Sequence, residues 1–109
     1  MNVDIDRMTR AADAACSLLK VLANRDRLLL LCQISQGDYC VSDLADLTGI
    51  AQPTLSQQLG VLRELELVTT RREGKSIYYK LVSTQAIAVL QVLYQEFCND
   101  PPQRKGQRP

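Results

Sequence analysis

Between Ile50 and Leu81 the chain reads "IAQPTLSQQLGVLRELELVTTRREGKSIYYKL", and within it the hydrophobic period changes from that of a helix to that of a strand. Pro53 suits the first turn of a helix, where its missing N–H leaves nothing unpaired. Leu55, Leu59 and Leu62 then fall on one side, so the spacing predicts a helix over roughly Pro53–Glu66 with that side in a core. The opposite side carries Thr54, Ser56, Gln57, Gly60 and, near the end, Glu64. A solvated face normally shows charges. This one shows short hydroxyl and amide groups that both donate and accept, as base edges in a major groove require. Gly60 weakens a helix, and its missing side chain lets backbone come close to another surface. After Val68, "LVTTR" and "SIYYKL" flank "REGK", a β-branched and aromatic pattern around a turn glycine that predicts a hairpin. Val68, Thr70, Ile77, Tyr79 and Leu81 should share its inward face. Arg71, Arg72 and Lys75 surround its tip, where they can reach a phosphate or the minor groove.

The remaining segments read as helices. In residues 7–22, Met8, Ala11, Ala12, Ala15, Leu18, Leu19 and Leu22 recur at helical spacing, and the small residues permit close helix approach. Asn24 can cap a second helix, "RDRLLLLCQIS", which Gly37 should end. Its four consecutive leucines predict burial on most sides. Val41 or Ser42 opens a short helix that stops at Gly49, and Ser83 or Thr84 caps a last helix over 83–98. Ile87, Val89, Leu90, Leu93, Tyr94 and Phe97 cover more than one face of that last helix, so one side can meet its own domain and the other a partner. Four helices, a hairpin and a helix make a mainly α winged helix-turn-helix over residues 1–98. Residues 99–109, Pro-rich and basic, are expected to form a disordered tail.

A chain of 109 residues holds one small core and often completes it by dimerising. Net charge is only +1, but Arg63, Arg71, Arg72, Lys75 and Lys80 crowd the second half, and a locally basic face binds phosphates on a nearly neutral molecule. No apolar run is long enough for a bilayer, and the start lacks the order of a signal peptide, so the cytoplasm is the expected compartment. The sequence has no histidine, which removes His-based triads and every Cys/His zinc site. It also lacks a phosphate-binding glycine loop and carboxylates paired in a cleft-forming pattern, so an enzyme is not expected, nor a resident cofactor or metal. Cys16, Cys32, Cys40 and Cys98 are widely spaced without a CxxC pair. A cytoplasmic disulfide framework is not expected of them, and the plainest reading is four small buried hydrophobes.

From about Leu19 to Phe97 the chain resembles the ArsR/SmtB family of winged-helix repressors, in "LLKVLANRDRLLLL", "CVSDLADLTGIAQPTLSQQLGVLRELELV" and "TTRREGKSIYYKL". The resemblance implies a homodimer built on the first and last helices, which holds operator DNA until an inducer arrives. It assigns DNA contact to Gln52, Thr54, Ser56 and Gln57, with Arg71, Arg72 and Lys75 on the wing. Gln58 stands where many members carry histidine, and Ala51 replaces a frequent serine, which bears on operator sequence.

Inducer sites in this family differ by helix. Zinc and nickel sensors use histidines on the last helix, and none exists here. Arsenite sensors often carry "CVCDL"; here "CVSDL" keeps Cys40 but has Ser42 in place of the second thiol. Cys32 and Cys98 match the dithiol of the sulfide- and persulfide-responsive BigR/SqrR subgroup, which implies a reactive sulfur species as inducer. The alternative within the family is a thiolate site for As(III), Sb(III) or a soft metal, using Cys40 and Cys98 or Cys16 with a partner's cysteine. A protein-binding winged helix is a further alternative, but residues 52–64 lack the apolar patch it needs.

Overall fold

Each helix of the computed structural model, which describes residues 1–98, starts at a polar or proline-containing junction that the sequence supplies. Helix α1 (Ile5–Leu22) begins behind Asp4, whose carboxylate accepts from the Arg7 N–H at 3.2 Å. That cap starts the helix two residues before the apolar spacing does. Asn24 caps α2 (Arg25–Ile34) as expected, accepting from the Arg27 N–H at 3.0 Å. This helix ends at Ile34, ahead of Gly37, because the Gln36 and Gly37 N–H groups close a turn onto Gln33 and Ile34. Strand β1 (Tyr39–Cys40) leads directly into α3 (Val41–Thr48), which Gly49 stops in the left-handed region at φ +74°. Helix α4 (Gln52–Glu64) carries Pro53 in its first turn. It ends two residues before the expected Glu66. The Glu66 N–H returns to the Arg63 carbonyl at 3.0 Å and the Leu67 N–H to Leu62 at 3.0 Å, with Glu66 itself at φ +60° where glycine is usual.

Strands β2 (Val68–Glu73) and β3 (Ser76–Leu81) form the hairpin, and Ser83 rather than Thr84 caps α5 (Thr84–Cys98), its Oγ accepting from the Ala86 N–H at 3.1 Å. The sheet has three strands rather than the expected two, in the order β1-β3-β2, all antiparallel. Tyr39 pairs with Tyr79 and Cys40 with Tyr78. A two-residue strand is too short to show a period, so only its partner reveals it. Val68 faces Leu81 and Thr70 faces Tyr79, in the expected register. Ile77 is on the same side but opposite Arg72, and it is exposed, because the ribbon has left the core by that point.

Leu30, Leu31, Leu44, Leu55, Leu59 and Leu62 are completely buried at the meeting of α2, α3 and α4. Burying a leucine contributes about 1.5–3 kcal/mol, so this cluster fixes the helix-turn-helix unit. Helix α2 is not buried on most sides. Leu29 is exposed, one turn before Cys32, because α2 turns that side to an open groove below α5. The outer helices are barely covered: Ile5, Met8 and Leu19 of α1 and Val92, Tyr94 and Phe97 of α5 are exposed. The radius of gyration, 16.4 Å, exceeds the roughly 13 Å of a compact domain near this size. Among the described residues no helix is long and apolar enough to cross a membrane. The tail expected over 99–109 lies outside the described residues.

Candidate DNA-reading face and thiol pair

Helix α4 is held by Leu55, Leu59 and Leu62, which turns Gln52, Ser56, Gln57 and Gly60 outward together. Thr54 is half-buried at the edge of the same face. A Cβ added to Gly60 would meet nothing within 4 Å, so nothing inside the protomer calls for glycine there. Gln58 points the other way. Its Oε1 accepts from Arg27 Nη1 at 3.2 Å, across the junction with α2.

On the wing, Arg71, Arg72 and Lys75 are all exposed, but they are not equally free. Arg71 Nε donates to Glu73 at 2.8 Å, a second guanidinium nitrogen is bonded to Asp38, and the group lies 5.0 Å from the centre of the Tyr78 ring. Two carboxylates therefore meet one guanidinium, and their hydrogen bonds, Glu73 first, push its pKa further up. Among the described residues, Arg72 donates only from Nε to the Gly74 carbonyl, at 3.3 Å. Glu73, two residues along the strand, was legible as a partner of Arg71; Asp38, in the loop after α2, was not.

No cysteine is buried within the protomer, contrary to the plain expectation: Cys16, Cys32 and Cys98 are exposed and Cys40 is half-buried. Cys16 faces out from α1, beside the exposed Ala11 and Ala15 of its small-residue side. Cys40 precedes α3, its Sγ 3.2 Å from the Ser42 hydroxyl and its N–H donating to Asp43 at 3.4 Å. Cys32 sits at the rim of an open groove of about 910 Å³ between α2, β3 and α5, among Leu29, Leu81, Ile87, Leu90 and Tyr94. Partial burial pushes the Cys32 thiol up from its ordinary pKa, and the charge of Cys98 pushes it further. Cys98 ends α5, the helix that forms the other side of that groove, far from Cys32 in the sequence. Among the described residues of one protomer, no three Cys, His, Asp or Glu side chains come together to hold a metal.

A short helix, a tight turn and a leucine-anchored helix with an outward polar face, followed by a basic ribbon, define a winged helix-turn-helix DNA-binding protein. Residues 24–70 match the family model described as "Bacterial regulatory protein, arsR family". The biofilm growth-associated repressor of Agrobacterium fabrum (strain C58) is 45% identical over 96 residues, spanning 88% of this chain and 82% of the relative. The crystal structure of the transcriptional repressor BigR from Xylella fastidiosa superposes with a TM-score of 0.84 at 43% identity, covering 88% of this chain and 98% of that one. A homodimeric winged helix-turn-helix DNA-binding domain from Mycobacterium bovis, described as a possible ArsR-family regulator, gives 0.68 at 29% identity, covering 94% of each. The chain belongs to the ArsR family and is a DNA-binding transcriptional regulator.

Proposed function

We propose that this regulator is a cytoplasmic homodimeric repressor that leaves its operator when Cys32 and Cys98 react with a reactive sulfur species such as a persulfide. The observation that supports the sensing half is placement: Cys32 lines the groove that α2 shares with α5, beneath the reading unit, and Cys98 ends that same α5. Exposed apolar residues on α1 and α5 support a second copy of the chain as the missing cover. The homodimeric state of the Mycobacterium bovis domain supports the same assembly. Pairing would set two α4 helices about 34 Å apart, one turn of duplex, with Gln52, Thr54, Ser56 and Gln57 toward base edges. Arg72 and Lys75 then meet phosphates, and Arg71 uses whatever donors its carboxylates leave.

The chemistry needs only the two thiols and the persulfide. One thiolate attacks the sulfane sulfur of RSSH, the S–S bond breaks, and RSH leaves. The second thiol then displaces hydrogen sulfide from the new cysteine persulfide and closes a disulfide: two thiols and one RSSH give one bridge, one RSH and one molecule of hydrogen sulfide. If the cysteine persulfide first takes another sulfane sulfur from a second RSSH, the same closure gives a trisulfide and a further RSH. Either bridge ties α5 to α2, and the spacing of the reading helices is lost.

Operator binding of the wild type, Cys32→Ser and Cys98→Ser, each treated with a persulfide donor or with arsenite, tests this. The wild type should release DNA with persulfide alone, with mass spectrometry showing Cys32 joined to Cys98, and neither variant should respond. Release with both thiols unmodified would remove the sulfur reading, and release by arsenite alone would put a thiolate metalloid site in its place.

A further inference from the structure

The recognition helix is held mostly by apolar contacts, which resist separation but not rotation or sliding. Among the described residues, a single side-chain hydrogen bond joins α4 to another element, and it runs from Arg27 to Gln58. Arg27 is part-buried and makes further bonds. Its Nε donates to the Val21 carbonyl at 3.0 Å and its Nη2 to the Lys20 carbonyl at 3.3 Å, both at the end of α1. One planar fork therefore fastens the last turn of α1 and the inner side of α4 to the start of α2. Cys32 is on that same α2, five residues on, or about 7.5 Å along a rigid rod.

We propose that Arg27 and Gln58 are positioning residues, a clasp through which bridging at Cys32 turns the recognition helix. This rests on the assignment of Cys32 and Cys98 as the sensing thiols. A pull on Cys32 from α5 shifts α2 as a unit, and the directional bond to Gln58 carries that shift into α4, where Ser56 and Gln57, the two residues before it, are exposed on the outer side. Gln58 thereby acts on operator affinity from inside the fold and does not itself read bases.

The test uses the full chain with Gln58→Met, which keeps side-chain volume and leaves the Arg27 bonds to α1 in place but removes the acceptor. Gln58→Glu restores an acceptor. Operator affinity is measured reduced and after persulfide treatment, with bridging followed by mass spectrometry. Gln58→Met should bridge like the wild type, yet its ratio of reduced to treated affinity should fall about tenfold, the effect of one charge-assisted hydrogen bond. Gln58→Glu should keep the wild-type ratio even if its added charge weakens both affinities. A merely structural role would lower the melting temperature or both affinities together and leave the ratio unchanged, which would overturn the clasp. A wild type that bridges without releasing DNA would overturn the sensing assignment as well, and the wild-type arm separates that failure from failure of the clasp alone.

Discussion

Helix α4 sets Leu55, Leu59 and Leu62 into the core at 0% exposure, whereas the longer α5 buries only Ala86 and Leu90 and leaves Phe97 78% exposed. The reading helix is packed on a finished core and fixed to α2 by a directional bond. Helix α5, which ends in Cys98, lies over an open groove with Val92, Tyr94 and Phe97 exposed. Packing that marginal is easily displaced by one new covalent link, and packing as tight as that of α4 carries the displacement as a rigid body. The proposed sensing thiols thus border the open part of the protomer, and the proposed reading residues stand on its closed core.

The largest effect should come from cutting into that finished core. Leu59→Ala is expected to lower unfolding free energy by about 2–5 kcal/mol in a urea titration. Phe97→Ala should cost far less within the protomer and appear mainly as a steeper dependence of Tm on protein concentration. Equal, concentration-independent losses would erase the contrast between the two helices.

Next in size is the wing. Arg72→Ala and Lys75→Ala should each flatten the salt dependence of operator binding by about one to two units of slope in a dimer. Arg71→Ala should change it less, since Glu73 and Asp38 already engage its guanidinium. A larger effect at Arg71 would show that DNA draws it away from both carboxylates.

Gly60→Ala should raise stability by about 1 kcal/mol, because the added methyl meets nothing in the protomer and helix propensity improves. Operator affinity should nevertheless fall. Improved stability with unchanged affinity would mean that DNA backbone does not approach α4 there.

The smallest effect concerns the thiols. Cys98→Ser removes the lesser of the two causes that raise the Cys32 pKa. The midpoint of Cys32 alkylation against pH should therefore move down, while burial keeps it above the value of a free cysteine. Alkylation at neutral pH should quicken accordingly. An unmoved midpoint would show that the two sulfurs do not interact.

The helix boundaries were legible where a cap acts within three or four residues: Asn24, Gly49, Pro53 and Ser83 all fall where the chain turns. The inward leucines of α4, the hairpin register and the outward polar face were legible too, because helix and strand periods are local. Overestimated burial of α2 shows the limit. Four leucines in a row leave its core side undetermined, and the fold put Leu30 and Leu31 inside and Leu29 out. The exposure of Cys16, Cys32 and Cys98 was not legible for the same reason, since burial is decided by neighbours and not by residue type.

The sequence by itself determined a winged helix-turn-helix with a polar reading face and a basic ribbon, through short-range energies of capping, periodicity and turn geometry. Only the tertiary structure decided that β1 joins β3, that Asp38 engages Arg71, that Arg27 reaches Gln58, and that α2 and α5 share the groove lined by Cys32. Those partners are distant along the chain, and such contacts form only when the leucine core has fixed how the helices cross.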